Sequence, residues 1–449
     1  MKLNLTLRKA AEIMAGKLLS SQPDTKLHSF VTDSRVVGPG DAFWALQGAN
    51  HDARAFIPQA IKQGASVIIA QEEGFSVPQN TGVSFILVQN SLRALQELAK
   101  YHRINSTLKV AAITGSNGKS TTKQMLRAIC AVAGETIANM GNFNNQFGVP
   151  FSLLEIQPKH QYGVFELGAS HPGDIEETAR LALPDVAVIT NVSAAHLEFF
   201  HDLETVYRTK TEIARHLNYG GTLVYNADNE YLARLKTEFK GKAISFGFNP
   251  GADLHILETD DFSFTYKSEA YRFGMHLERH DKLNAAAAVA AAIALGIYMD
   301  PIKKGLQNFT PMPMRLERVE KNGVHFILDC YNANPASMQT ALAILGREKG
   351  EPRIAVLGDM KELGTSSKDY HRLIAREVHE NHIDTVFLAG PEMKYAYDIL
   401  KTIPSIRATY AVRAEDWMAQ LKQALRQPGA VCLFKASRSM NFENIFKEI

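Results

Sequence analysis

The run K-V-A-A-I-T-G-S-N-G-K-S-T-T at residues 109–122 constrains this chain more than any other stretch. A short apolar run of strand character ends at Thr114, Gly115 and Gly118 bracket a turn, and Lys119, Ser120, Thr121 and Thr122 open an amphipathic segment that reads as a helix over 119–132. A strand, a glycine-bracketed loop and a helix start make a cradle for phosphate. Glycine permits the tight backbone, the N–H groups of residues 115–119 are expected to converge on phosphate oxygens, and the helix N-terminus adds partial positive charge. Lys119 is expected at the terminal phosphates and Ser120 on Mg²⁺. The motif is a shortened P-loop, G-x-x-G-K-S, because Ile113 stands where the longer form has its first glycine. The alternative is a glycine turn that merely joins a strand to a helix; Lys followed by three hydroxyl residues favours the nucleotide.

At 449 residues the chain is too long for one core and should divide into about three domains of ordinary size. Net charge is +2 with basic residues scattered, which gives no nucleic-acid footprint and points to small anionic partners. Cys130, Cys330 and Cys432 lie far apart without C-x-x-C spacing, which argues against a disulfide framework or a zinc site and fits a reducing cytoplasm. Residues 3–19 mix Arg8, Lys9, Glu12 and Lys17 into the apolar pattern, so no signal-peptide core is expected. The most apolar run, 283–298, is mostly alanine and reads as a buried helix, not a membrane span.

Along the chain, residues 1–88 form a first α/β unit, with a helix at 54–63 and strands at 65–70 and 83–88, too short for a full doubly wound sheet. Residues 89–314 form the nucleotide unit: a linking helix at 91–103, then strands at 110–114, 162–167, 186–191 and 222–226 separated by helices. That alternation implies a parallel sheet with ligands at the carboxyl ends of its strands. Two stretches interrupt it: an Asn-rich loop, G-N-F-N-N-Q-F-G-V-P at 141–150, and a run at 243–278 that alternates like antiparallel hairpins. Residues 315–449 form a third unit with strands at 325–329, 353–357, 385–389 and 430–434, and Pro311 with Pro313 marks a stiff linker.

Chemistry-bearing residues fall at strand ends. Glu166 closes V-F-E-L-G, where a carboxylate faces the phosphate loop; its alternative is a capping or solvated acid. His196, in S-A-A-H-L-E, follows another strand, and together the two suggest a divalent-metal site, although a single His is more often structural. Lys210 lies on a helix and by default is solvated, and Arg35 on a loop is by default solvated too. The run D-C-Y-N-A-N-P at 329–335 ends a further strand; Asn-Pro is a turn signal, while Asp329 beside a nucleotide can accept from ribose hydroxyls.

These motifs together resemble the Mur ligases, the ATP-dependent amide-forming enzymes of peptidoglycan synthesis, over nearly the whole chain. The resemblance rests on T-G-S-N-G-K-S-T at 114–121, Glu166, N-V-S-A-A-H-L-E at 191–198, H-D-K-L-N-A-A-A-A at 280–288, Arg315 and D-C-Y-N-A-N-P. The Asn-rich loop, Y-N-A-N-P and V-L-G-D-M-K-E-L-G at 356–364 are most similar to the branch that adds D-alanyl-D-alanine to UDP-N-acetylmuramoyl-tripeptide. The resemblance implies a small UDP-substrate-binding domain at 1–88, a central ATP-binding domain at 89–314 with an antiparallel insertion, and a Rossmann-like domain at 315–449 that closes on ATP and binds D-Ala-D-Ala. It implies ATP contacts from Gly115, Ser116, Asn117, Gly118, Lys119, Ser120 and Thr121, with Asn284 near the adenine and Arg315 and Asp329 reaching in from the third domain.

By the same resemblance, Ser120, Glu166 and His196 serve Mg²⁺, with Lys210 matching a lysine that in several members is carbamylated to hold a second ion. Ser34 and Arg35 match the UDP site, and Asn142, Asn144 and Asn145 fall in the loop facing the muramoyl peptide. Tyr331, Asn332 and Asn334 fall within Y-N-A-N-P, and Lys435, Ser437 and Arg438 within L-F-K-A-S-R-S-M, which has Ala436 where K-G-S-R is common. A cytoplasmic monomer without nucleic-acid or membrane partners is expected. Within the superfamily a folylpolyglutamate synthase or another Mur ligase is the alternative, although no D-N-P-R motif is present; from another class, so is a P-loop ATPase that lacks ligase activity.

Overall fold

The computed structural model describes residues 5–27, 29–48, 52–79 and 81–449. In the first part of the chain, strands β1 (Leu5–Thr6) and β3 (Lys26–Leu27) pair as a short ribbon. Beside it, β2 (Lys17–Leu19), β4 (Phe30–Val31), β5 (Ala42–Ala45), β6 (Val67–Gln71) and β7 (Ser84–Val88) form a sheet of order β2-β7-β6-β5-β4. All its pairings are parallel except that of β2 with β7. Short as it is, this unit therefore carries a complete five-stranded sheet. Alternate residues of β5 face opposite ways. Trp44 joins the large core it shares with the helix Ser91–Ile104, and Phe43 joins a smaller core of its own. The helix expected at 54–63 is a 3-10 turn, Ala53–Phe56, followed by the helix Ile57–Lys62, with Pro58 in its first turn.

The middle sheet has nine strands: β8 (Lys109–Thr114), β9 (Thr136–Ala138), β10 (Tyr162–Glu166), β11 (Val186–Ile189), β12 (Thr222–Asn226), β13 (Lys242–Gly247), β14 (Leu254–Ile256), β15 (Asp261–Tyr266) and β16 (Glu269–His276). Their order is β16-β15-β14-β13-β12-β11-β8-β10-β9, and β8 lies between β10 and β11, both parallel to it. Val110 and Ala112 of β8 face one core, Ala111 and Ile113 the other, so the strand is buried on both sides and reads as a continuous apolar run. The hairpin expectation for 243–278 holds only from β14 onward: β13 and β14 continue the parallel sheet and only β15 and β16 run antiparallel. Alternation alone could not separate the two because one face of each strand is covered in either arrangement.

The apolar run 283–298 lies largely in the helix Arg279–Ala294, where Ala285 to Ala292 are wholly buried between the sheet and the helix Lys119–Ala133. Small side chains on every face let this helix sit inside the protein. Among the described residues no helix is long and apolar enough to cross a membrane.

The third sheet comprises β17 (Glu317–Lys321), β18 (Val324–Asp329), β19 (Arg353–Gly358), β20 (Thr385–Ala389), β21 (Arg407–Ala411) and β22 (Val431–Lys435), in the order β17-β18-β22-β19-β20-β21. Five strands are parallel and β17 is an antiparallel edge. The sequence reading missed β17 and β21, the two edges, where half-exposed mixtures such as E-R-V-E-K lack a clear apolar face.

Candidate functional site

The carboxyl ends of the middle and third sheets face each other across a cleft of about 1180 Å³. It opens beside β8, where the chain passes from β10 on one flank to β11 on the other, the kind of switch point where parallel sheets bind ligands. Of the residues singled out from sequence, Ser116 to Thr121, Glu166, His196, Asn284, Arg315 and Asp329 line this cleft. So do Asn142, Asn144, Asn145, Tyr331, Asn332, Asn334, Lys435, Ser437 and Arg438.

Two glycines shape the loop. Gly115 has φ +144° and a Cβ there would lie 2.0 Å from Thr190 Oγ1; Gly118 has φ +78° and a Cβ would lie 2.3 Å from Asn284 Oδ1. The loop thus presses against the end of β11 and the start of the alanine-rich helix, with no room for any side chain at either point. Its first amides are occupied: Ser116 N–H donates to Asn191 O at 3.0 Å and Asn117 N–H to Asn191 Oδ1 at 2.9 Å. This corrects the expectation that all N–H groups of 115–119 converge on a ligand. The groups without an intrahelical acceptor lie further along, in the first turn of the helix Lys119–Ala133. Lys119 Nζ folds back onto the carbonyls of Gly115 (2.7 Å) and Ser116 (3.1 Å). Burial lowers its pKa, and Glu166 partly opposes that shift.

Glu166 is 3% exposed at the end of β10. Its Oε1 accepts from Asn144 Nδ2 at 2.8 Å, while Oε2 is buried without a hydrogen-bond donor, 3.8 Å from Lys123 Nζ. Lys123, one turn after Lys119, escaped the sequence reading. It is fully buried, donates to Asn139 O at 3.0 Å, and burial lowers its pKa. The spacing i, i+4 from the phosphate-loop lysine was the available signal. The Asn-rich loop divides its work: Asn144 holds Glu166, Asn145 Oδ1 accepts from Gly148 N–H at 2.9 Å at the start of the helix Gly148–Leu154, and Asn142 is exposed on the cleft wall.

From the third unit, Arg315 donates to Ser120 Oγ at 3.0 Å and stacks on Tyr331, 4.0 Å from the ring centre, with Nε buried and unpartnered. Met314 and Leu316, on either side of it, both have left-handed backbone, φ +59° and +52°, so the linker turns sharply twice to present this guanidinium. Asp329 and Lys435 end adjacent strands in direct register and pair with each other, and Lys435 also donates to Asn332 O at 3.1 Å.

Several expectations change. His196 lines the same cleft as Glu166, with its Nδ1 bonded to Glu362 Oε2; among the described residues no group of three or more His, Cys, Asp or Glu is disposed to hold a metal. Glu362, in the motif V-L-G-D-M-K-E-L-G, was not picked out as a site residue; its backbone carbonyl also accepts from Glu198 N–H at 3.1 Å. Lys210 is not solvated but 2% exposed, behind the cleft wall, and burial with the nearby Lys119 charge lowers its pKa to about 7. Ser34 and Arg35, expected at the UDP site of the first unit, lie outside this cleft: Ser34 Oγ donates to Gln59 Oε1 at 3.1 Å and Arg35 is paired with Asp33. The three cysteines are free and buried.

The donor set fits a hard cation. A serine hydroxyl at the helix start and a buried carboxylate oxygen lacking any donor are oxygen ligands of the kind Mg²⁺ takes, with few protein groups and room for phosphate oxygens.

Known proteins share this architecture. The model of the Mur ligase middle domain matches residues 113–292, that of the Mur ligase glutamate ligase domain 314–438, and that of the Mur ligase family catalytic domain 26–103. The chain is 32% identical to the UDP-N-acetylmuramoyl-tripeptide--D-alanyl-D-alanine ligase of Bacillus subtilis, over 99% of this chain and 98% of the relative. It is 31% identical to the ligase of the same name from Escherichia coli, over 100% and 98%. Among solved structures it superimposes on MurF from Acinetobacter baumannii with a TM-score of 0.91 at 32% identity, covering 100% and 99%. MurF ligase from Thermotoga maritima in complex with ADP gives 0.82 at 30% identity, covering 93% and 96%. With its phosphate loop, its facing carboxylate and its third unit seated over both, the chain belongs to the Mur ligase family of ATP-dependent ligases.

Proposed function

We propose that this chain joins D-alanyl-D-alanine to UDP-N-acetylmuramoyl-tripeptide at the expense of ATP, as a monomer in the cytoplasm. The observation that carries the proposal is the facing pair in the cleft: a phosphate loop with an uncapped helix start and Lys119 on one strand end, and Glu166 with an unpartnered buried oxygen on the next. The names of the relatives supply the substrates.

A peptide carboxylate is a poor electrophile. Transfer of the γ-phosphoryl group of ATP converts it to an acyl phosphate, the amine of D-Ala-D-Ala attacks the acyl carbon, and the tetrahedral intermediate expels phosphate. Lys119 and the first-turn amides align and neutralise the phosphates, Arg315 adds charge from the third unit, and Lys123 with Asn144 fixes the Glu166 carboxylate. Ser120 and Glu166 would hold Mg²⁺, which would supply further neutralisation of phosphate charge. Closure of the third unit further onto the cleft would keep water from the acyl phosphate. Lys210, with its amine neutral above about pH 7, is suited to react with carbon dioxide as the carbamylated lysine of some family members does.

The test is mass spectrometry of products, with phosphate release, after mixing the protein with Mg-ATP, UDP-N-acetylmuramoyl-tripeptide and D-Ala-D-Ala and omitting each in turn. A UDP-muramoyl-pentapeptide formed only when all are present is expected. Phosphate release independent of the acceptors, with no ligated product, would replace the ligase with an uncoupled ATPase.

A further inference from the structure

We infer that Asn117 and Asn334 are positioning residues, a reciprocal amide pair that clasps the third unit onto the phosphate loop, and that neither side chain contacts substrate. The inference deepens the ligase reading and rests on it for its kinetic arm.

Every polar atom of Asn117 already has a protein partner. Its N–H donates to Asn191 Oδ1 at 2.9 Å, and its carbonyl accepts from Thr190 Oγ1 at 2.6 Å and Asn191 Nδ2 at 3.0 Å. Its side-chain Nδ2 donates to Ser193 Oγ at 3.0 Å and to Asn334 Oδ1 at 3.3 Å, and its Oδ1 accepts from Asn334 Nδ2 at 2.7 Å. A residue in a phosphate loop with no free donor has nothing to offer phosphate.

Asn334 is as fully engaged and is 7% exposed. Its Oδ1 caps the helix Pro335–Arg347 by accepting from Ser337 N–H at 2.9 Å, and the Asn334 N–H donates in return to Ser337 Oγ at 3.0 Å. The helix thereby fixes the direction of the amide, so the whole third unit moves with it. Two mutually donating amides meet in one relative orientation, and a shift of about an ångström takes such bonds out of range. The clasp lies two residues before Lys119, so the position of the third unit is imposed on the loop that aligns the phosphates.

Neutral amides suit this place. A carboxylate would repel the phosphates beside it, and an ammonium would compete with Lys119 for them.

The experiment compares Asn117→Ala, Asn334→Ser and the double variant in the full-length chain. Serine retains the helix cap but is too short to reach Asn117. Ligation kinetics, ADP affinity by titration calorimetry and thermal midpoints are measured for each. The expected result is a fall in kcat of about tenfold in either single variant, the worth of one or two ordinary hydrogen bonds, with ADP affinity within about twofold of the parent. The double variant is expected to be no slower than the slower single one. Losses that multiply in the double variant, or an ADP affinity that falls in step with kcat, would overturn the clasp. If the parent made no ligated product, the ligase reading alone would fail. The clasp would then be read by small-angle scattering with ADP: variants more extended than the parent would support it, and variants as compact as the parent would overturn it.

Discussion

The two sheets that meet at the cleft treat their polar groups differently. At the rim of the middle sheet, groups are left wanting: the first-turn amides of the helix Lys119–Ala133, Glu166 Oε2, and Lys119, which rests on carbonyls alone. At the rim of the third sheet most charges are paired with one another, Lys435 with Asp329, Lys361 with Asp359 and Arg438 with Glu443, while Arg315 Nε and Glu443 Oε2 stay without partners. Buried polar groups without partners are costly, so a fold keeps them where a ligand completes them. The middle sheet is therefore the main binding surface, and the third a cover whose charges, Arg315 apart, are largely paired with one another.

The comparison is broken most directly at Lys119. Lys119→Ala removes a cation of the middle rim whose hydrogen bonds go only to carbonyl oxygens, and the ligation rate is expected to fall by about a thousandfold or more, with the fold intact by circular dichroism. A rate within tenfold of the parent would place phosphate charge neutralisation on the third unit instead. Glu166→Gln follows, with an expected loss of about a hundredfold and a raised Mg²⁺ requirement in a titration of rate against Mg²⁺. Its amide keeps one acceptor for Asn144 but cannot supply an anionic oxygen.

The third rim should answer in stability. Asp329→Ala leaves the wholly buried Lys435 ammonium without its carboxylate and should cost about 3 kcal/mol in a denaturant titration. Pairing it with Lys435→Met should restore much of that loss, because the two charges exist for each other. An additive double variant would mean that these groups, like those of the middle rim, wait for a ligand.

How much of this was readable in advance follows the same division. The phosphate loop, Glu166 and the strands of both interior sheets carry local patterns, continuous apolar runs ending in glycine or a lone carboxylate, and the structure places them within a residue or two of expectation. What sequence did not give is pairing across the cleft. Nothing near His196 announces Glu362, which is 166 residues away, or that Arg315 would be presented between two left-handed residues. Asn117 was read as a ligand contact because of where it sits in the loop, whereas its partners Asn191 and Asn334 come from other strand ends. Lys210 looked solvated because a helix surface is the default for lysine; it is buried instead, with its amine over the Phe200 ring at 5.6 Å.

The smallest expected effect is at the His196–Glu362 contact, a polar bridge between the two rims. The hydrogen bond from His196 holds the Glu362 carboxyl below its ordinary range, with burial opposing. A carboxyl with a lowered folded-state pKa contributes stability above its unfolded value of about 4.3, and that contribution is lost as pH falls through the folded-state value. Because the Glu362 side chain is 47% exposed, solvent screening limits the bridge to about 0.5 kcal/mol. Glu362→Gln should therefore be slightly less stable than the parent at neutral pH, with the gap closing in acid as the parent carboxyl protonates. Unfolding curves of both proteins from neutral pH to below the carboxylate range measure it. A gap that persisted in acid would show that Glu362 acts by packing against the middle unit, and the contrast between an open rim and a largely paired one would then rest on the pairs within the third rim.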